Sequence, residues 1–364
     1  MEVIHRRCAG MDVSKKDAKV CVRVQGAGRR GTSTTVSTWG STTAEILALG
    51  EHLVAERVSC VVIESTSDYW KPFYYLLEEQ LPVMLVNAKA ARNVPGRKTD
   101  RDAAHLARLL HLGQIVEVTV PSVTQEAARD LVRARDDCRG DLMGARHRLS
   151  KLLLRQGIVY YGGQTWTGKH ELWLRAQRFD NPALTLAYEA ALDAMVACVH
   201  RRDRLDEAIA TMAVDSEFTP VAVRLGCLRG ISTLTAFGLA VEIGDWHRLS
   251  GRSIGAYLGL VPCEYTSGAT RVQGGVTKTG NGHARRLLVE AAWHHRAPYR
   301  PSRDLRRRWD AATPTARTRA HAANHRLHTR WARFDQRKKR PVVANAAIAR
   351  ELAGWCWSLA AMPD

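Results

Sequence analysis

The chain has 364 residues, 45% of them apolar, with 54 Lys and Arg against 36 Asp and Glu for a formal net charge of +18. That length favours two folded units joined by a connector, the apolar fraction is enough for real cores, and the charge favours a polyanionic partner, nucleic acid ahead of an anionic membrane, over a neutral small molecule. No stretch approaches the roughly 18 uninterrupted apolar residues of a transmembrane helix, and the opening MEVIHRRCAGMDVSKK lacks the apolar core of a signal peptide, so a cytoplasmic protein without a membrane partner is expected.

Along the chain, Gly10–Ser14, the alternating Lys19–Val24 and the Thr- and Val-rich Thr32–Trp39 read as three strands of a meander. From Thr42 to Arg57 apolar residues return at helical spacing, and Cys60–Ile63 is a continuous buried-strand run. Asp68–Glu79 reads as a helix, Val83–Val86 as a strand and Arg101–Leu112 as an amphipathic helix. Three meandering strands followed by β-α-β units give an α/β domain in the order of the ribonuclease-H-like fold. Between Val123 and Gly157, Leu131, Cys138, Leu142, Ala145, Leu149 and Leu152 recur at three- to four-residue steps, as in a long amphipathic helix or coiled coil. A break rich in Gly and aromatics, Tyr160 to Lys169, separates it from a second helical stretch ending near Met212. The pair reads either as a connector and oligomer surface or as a plain helical subdomain.

From Leu225 the texture changes to short helices with Gly-rich turns. Leu228–Ala236 resembles a helix-hairpin-helix turn whose backbone amides would hold a phosphate, or else an ordinary packing turn. Residues 296–340 carry fifteen Lys and Arg against Asp304, Asp310 and Asp335, interleaved with Trp309, His325, His328, Trp331 and Phe334. Cations and aromatics mixed in this way suit phosphate contact and stacking on bases; Arg306, Arg307, Arg308, Arg330, Arg337, Lys338, Lys339 and Arg340 are the candidate contacts. The resulting division is 1–120, an acidic metal-binding domain; 121–215, a helical connector; and 216–364, a mainly helical domain with a basic end. The eight cysteines are scattered singly, without C-x-x-C spacing, and read as reduced, mostly buried small hydrophobes.

Asp12 stands at the end or just past the middle of the first strand, and Glu64 follows a second apolar strand in the same way. Adjacent strands each ending in an acid put two carboxylates side by side, an arrangement that is costly unless a cation lies between them, and all-oxygen ligands suit Mg²⁺ or Mn²⁺. Asp100 and Asp102 stand at a helix start, as caps or as further ligands. Two divalent ions in such a cluster would serve phosphodiester cleavage. In the C-terminal part Tyr265-Thr266-Ser267-Gly268 is followed by Arg271, Gly274-Gly275, Lys278, Gly280-Asn281-Gly282, Arg285 and Arg286. A serine in such a cation-rich loop is a candidate nucleophile toward a phosphate, with Arg271, Lys278 and Arg285 placed to neutralise the charge that develops.

These segments carry a resemblance. G-M-D-V-S, V-I-E-S-T, V-N-A-K-A-A-R-N-V-P-G-R-K-T-D and D-A-A-H-L-A-R-L-L in the first part, with Y-L-G-L-V-P-C-E-Y-T-S-G, G-V-T-K-T-G-N and R-R-L-L-V-E-A-A-W in the second, resemble the DEDD-type insertion-sequence transposases, a family of bridge-RNA-guided recombinases. The likeness runs through nearly the whole chain and thins in the helical middle. It implies a resolvase-like (RuvC-like) N-terminal domain with the acids Asp12, Glu64, Asp100 and Asp102, and a C-terminal transposase domain whose serine, Ser267, becomes joined to a DNA strand end. It also implies Mg²⁺ or Mn²⁺, donor and target DNA, a structured non-coding RNA, and a homodimer or tetramer in which the acidic site of one subunit faces the serine domain of another. One departure stands out: the family's last two aspartates are spaced i, i+3, whereas Asp100 and Asp102 are i, i+2 and diverge by about 200° on a regular helix. Two alternatives remain open, a RuvC-like nuclease or junction resolvase acting through the acids alone, and a catalytically decayed copy that still holds nucleic acid.

Overall fold

The computed structural model describes residues 3–26, 31–65, 67–87, 91, 102–267 and 270–363, except for the side chains of Thr266 and Arg271. It divides into two compact units, Met1–Val120 and Pro121–Asp364. In the first unit β1 (Arg7–Val13), β2 (Asp17–Val24) and β3 (Ser33–Gly40) form an antiparallel meander, and β4 (Val61–Glu64) and β5 (Val83–Val86) extend it in parallel, giving the order β3-β2-β1-β4-β5. β4 is buried on both faces, which is why its sequence is an unbroken apolar run. One face carries Ala9, Met11, Val61 and Ile63 against α1 (Thr43–Ala55) and α2 (Trp70–Leu77) through Ile46, Leu49, Leu53 and Phe73. α1 starts where it does because Thr42 and Glu45 form a reciprocal capping box. The opposite face carries Cys8 and Val62 against α3 (Asp102–His111) through Leu106, Leu109 and Leu110. Burying each such Leu or Ile contributes about 1.5–3 kcal/mol.

The second unit opens with a helical arm, α4 (Val123–Arg155), the short α5 (Gly168–Arg175) and α6 (Pro182–Val214), where Asn181 and Pro182 start α6 as cap and first-turn residue. The arm has two separate cores: Ala128, Val132, Ile209 and Ala213 at its base, and Leu142, Leu149, Tyr188 and Met195 farther out. α6 contains an 18-residue stretch of mean hydropathy 1.4, long and apolar enough by composition to cross a membrane; 17% of it is buried, while Leu184, Leu192, Val196 and Val199 are partly buried against the outer core. α7 (Thr219–Leu225), α8 (Thr233–Ile243), α9 (Ile254–Tyr257), α10 (Gly282–Ala292), α11 (Arg303–Asp310), α12 (Pro314–Gln336) and α13 (Pro341–Ala360) surround one core in which Leu239, Leu288, Leu327, Trp331 and Leu352 meet.

Two expectations need correction. Residues 262–276 are a hairpin of β6 (Pro262–Ser267) and β7 (Thr270–Val276), where a Gly-rich loop was expected. The aromatics of the basic region do not form a stacking face: Trp331 is fully buried, and Trp309 is half-buried and donates Nε1–H to the carbonyl of Cys227 at 3.0 Å. Both complete the core, and Phe334 packs beside them.

Candidate active site

β1 and β4 are in parallel register through Met11 and Ile63, so Asp12 and Glu64 are the next residue on each neighbouring strand. Side chains alternate along a strand, which puts Asp12 and Glu64 on the face shared by Cys8, Gly10 and Val62, beneath α3. α3 crosses this face antiparallel to β1. Cys8 donates Sγ–H to the Ala107 carbonyl at 3.4 Å, while a Cβ on Gly10 would lie 2.3 Å from the Ala103 carbonyl oxygen. Two residues farther along β1, Asp12 therefore reaches the level of the N-terminal end of α3, which Asp102 begins. Glu64 is 4% exposed, Asp12 and Asp102 are half-buried, and Lys19 on β2 stands opposite Asp12 in the strand register.

Asp12 and Glu64 stand side by side on adjacent strands, and their all-oxygen chemistry suits a hard divalent cation. Among the described residues, no three of His, Cys, Asp and Glu stand close enough together to hold a metal ion. Asp100 lies outside the described residues.

In the second unit Ser267 ends β6, exposed at the tip of the hairpin and paired with Thr270; Arg271 pairs with Thr266 one step away. Lys278 and Arg285 are not beside the serine in the same chain, as had been expected. The hairpin runs from Ser267 back to the Pro262–Val276 pair, and at about 3.4 Å per residue the segment beyond Val276 is roughly 20 Å from Ser267. Arg285 is occupied there, donating Nη1–H to the carbonyls of Leu258 at 3.0 Å and Thr279 at 2.8 Å. Arg286 pairs with Asp136 at 2.7 Å and with Glu290 at 2.9 Å. Arg308 donates Nε–H to the Gly226 carbonyl, and Arg330 pairs with Glu351. Among the described side chains of the candidate set, Arg306, Arg307, Lys278, Arg337, Lys338, Lys339 and Arg340 are exposed.

A constellation not anticipated from the sequence lies behind the hairpin base. Glu242 is 0% exposed. Arg133 donates Nε–H to its Oε1 at 2.9 Å and Nη2–H to its Oε2 at 3.0 Å, Asn281 donates Nδ2–H to Oε2 at 2.6 Å, and the Nδ1 of His283 is 2.8 Å from Oε1. Burial pushes the Glu242 carboxyl up, but the bonds from His283, Arg133 and Asn281 outweigh it and hold it down at about 2. Arg133, Asp136, Asp137, Asn281, His283 and Arg286 line a cleft of about 580 Å³ beside this network. The signal in the sequence was a lone acid in an otherwise apolar helix, which has to find a partner.

Comparison with known proteins gives consistent matches. Residues 9–157 match the DEDD-type IS110 transposase family, and residues 223–306 match the family described as transposase IS116/IS110/IS902. A putative transposase, y4qE, of Sinorhizobium fredii is 38% identical over 261 residues, 71% of this chain and 64% of that protein. The transposase for insertion sequence element IS1533 of Leptospira borgpetersenii is 29% identical over 270 residues, 71% of this chain and 76% of that protein. The transposase for IS1111A of Coxiella burnetii is 26% identical over 254 residues, 65% of each. The chain thus spans about 64% of the length of the Sinorhizobium relative.

Proposed function

The chain carries the transposase domains of the IS110 family, and from that premise we propose that it is the recombinase of an insertion sequence, cutting and rejoining DNA strands with Ser267 as nucleophile. The observation that carries this reading is the register of β1 and β4, which puts Asp12 and Glu64 side by side on adjacent strands of a sheet of order β3-β2-β1-β4-β5, an order that supports a ribonuclease-H-like domain. In this reading the Ser267 hydroxyl loses its proton as its oxygen attacks a backbone phosphorus, the bond from phosphorus to the leaving strand's oxygen breaks, and that oxygen takes up a proton in turn. Asp12, Glu64 and Asp102, together with Asp100, would hold Mg²⁺ or Mn²⁺, which would supply Lewis acidity at the phosphate.

The net charge of +18 and the exposed cations Arg306, Arg307, Arg337, Lys338, Lys339 and Arg340 support binding of donor and target DNA and of a structured guide RNA.

The test is strand cleavage by the full chain with Mg²⁺ on DNA bearing the element's own ends. Ser267→Ala should abolish a covalent protein-DNA adduct, and Asp12→Asn should lower cleavage about 100-fold or more while leaving DNA binding intact. Undiminished cleavage in Ser267→Ala would instead favour a RuvC-like nuclease acting through the acids alone. The distance of Lys278 and Arg285 from Ser267 favours that second reading.

A further inference from the structure

The serine hairpin is a two-stranded ribbon with little cover of its own. Glu264, Tyr265, Ser267, Thr270, Val272 and Gln273 are all exposed. A lone hairpin is marginally stable in water, so its direction has to come from its base.

The base is held from several sides. Thr277 N–H donates to the Val261 carbonyl at 2.9 Å and Lys278 N–H to the Gly259 carbonyl at 3.2 Å. Gly280, at φ +69°, is pressed against the Tyr257 carbonyl so closely that any Cβ would collide with it. The next residue, Asn281, does two things. Its Oδ1 caps α10 by accepting the Ala284 N–H at 2.9 Å, and its Nδ2 donates to the Glu242 carboxylate.

Glu242 lies near the end of α8 and is gripped from the other side by the arm. Gln125 and Arg129 donate to the Val241 carbonyl, Arg129 also donates to the Glu242 carbonyl, and Arg133 forks onto the carboxylate. These three residues are spaced i, i+4, i+8, one stripe of α4. One buried carboxylate thus joins the arm, the end of α8 and the start of α10, from which the hairpin base is hung.

We propose that Glu242 is a positioning residue: through Asn281 and Arg133 it fixes the base of the serine hairpin to the helical arm and so sets where Ser267 is presented. This rests on Ser267 being the nucleophile as far as catalysis is concerned; the mechanical link stands by itself. Deleting one member of a buried, hydrogen-bonded charge set leaves the others unsatisfied, so the link is stiff.

The test is amide hydrogen exchange on the full chain together with adduct formation on DNA bearing the element's ends. In Glu242→Gln, exchange in residues 262–279 should rise tenfold or more while α12, α13 and the N-terminal sheet keep their rates. The rate of adduct formation should fall tenfold or more with DNA affinity within twofold. Asn281→Ser retains a capping oxygen for Ala284 but withdraws the amide donor, and it should move both readouts in the same direction even where Glu242→Gln does not fold. Unchanged exchange at the hairpin in a folded variant, or a rise spread evenly over Pro121–Asp364, overturns the proposal. An adduct that persists in Ser267→Ala removes the nucleophile and leaves the exchange comparison to decide the link.

Discussion

Glu242 and His295 are both fully buried, and they respond to acid in different pH windows. The folded carboxyl of Glu242 is held at about 2, below its ordinary 4.5, so its contribution is present above about 4.5 and is lost as pH falls toward 2. That difference corresponds to about 3 kcal/mol. Burial, and then the Arg229 guanidinium, holds the imidazole of His295 down at about 3 from 6.5. The unfolded chain therefore takes up a proton below about 6.5 that the folded chain refuses, and this contribution too is lost as pH falls, beginning earlier. Urea midpoints across pH 7 to 3 should fall in two stages. His295→Leu should flatten the upper stage and Glu242→Gln the lower; a wild-type midpoint constant down to pH 4 would refute the assignment.

At the scale of the element, α3 is positioned by the absence of a side chain. Gly10 lets the helix lie directly on β1, with Ala103 O and Ala107 N within 2.4 Å of where a Cβ would be. Gly10→Ala should push α3 off the sheet and destabilise the first unit by about 3 kcal/mol, read by chemical denaturation, and should reduce strand cleavage by displacing Asp102 from the acids. Much of this unit was legible in the sequence, because alternation marks β2 and an unbroken apolar run marks β4, with Glu64 standing where that run stops. The hairpin was not. Gly274 and Gly275 read as loop, and without the pairing of Ser267 with Thr270 nothing separates Arg271 from Lys278 and Arg285, which lie at opposite ends. Trp331 was misplaced for a related reason, since helical spacing of aromatics and cations marks a face without saying whether it points inward. Glu242 and Arg133 are 109 positions apart, a distance no local pattern bridges.

For the molecule as a whole, the charge of +18 matters through the part left uncommitted. Arg285, Arg286, Arg308 and Arg330 are tied to carbonyls or carboxylates, whereas Arg306 and Arg307 stand exposed on α11, Arg307 with only a 3.5 Å partner in Asp304. Replacing both exposed arginines by Ala should lower the slope of log affinity against log salt by about 2, uniformly across DNA sequences, as measured by titration from low to physiological salt. An unchanged slope would remove α11 from the nucleic-acid face.

The two separate cores along the helical arm also bear on how it can vary. The inner core, with Gln125, Arg129 and Arg133 beside it, serves the serine mounting, while the outer core around Leu149, Tyr188 and Met195 closes on itself. Lengthening or trimming the far end by whole turns should therefore change the arm's reach while leaving in place the contacts of Gln125, Arg129 and Arg133 at its root.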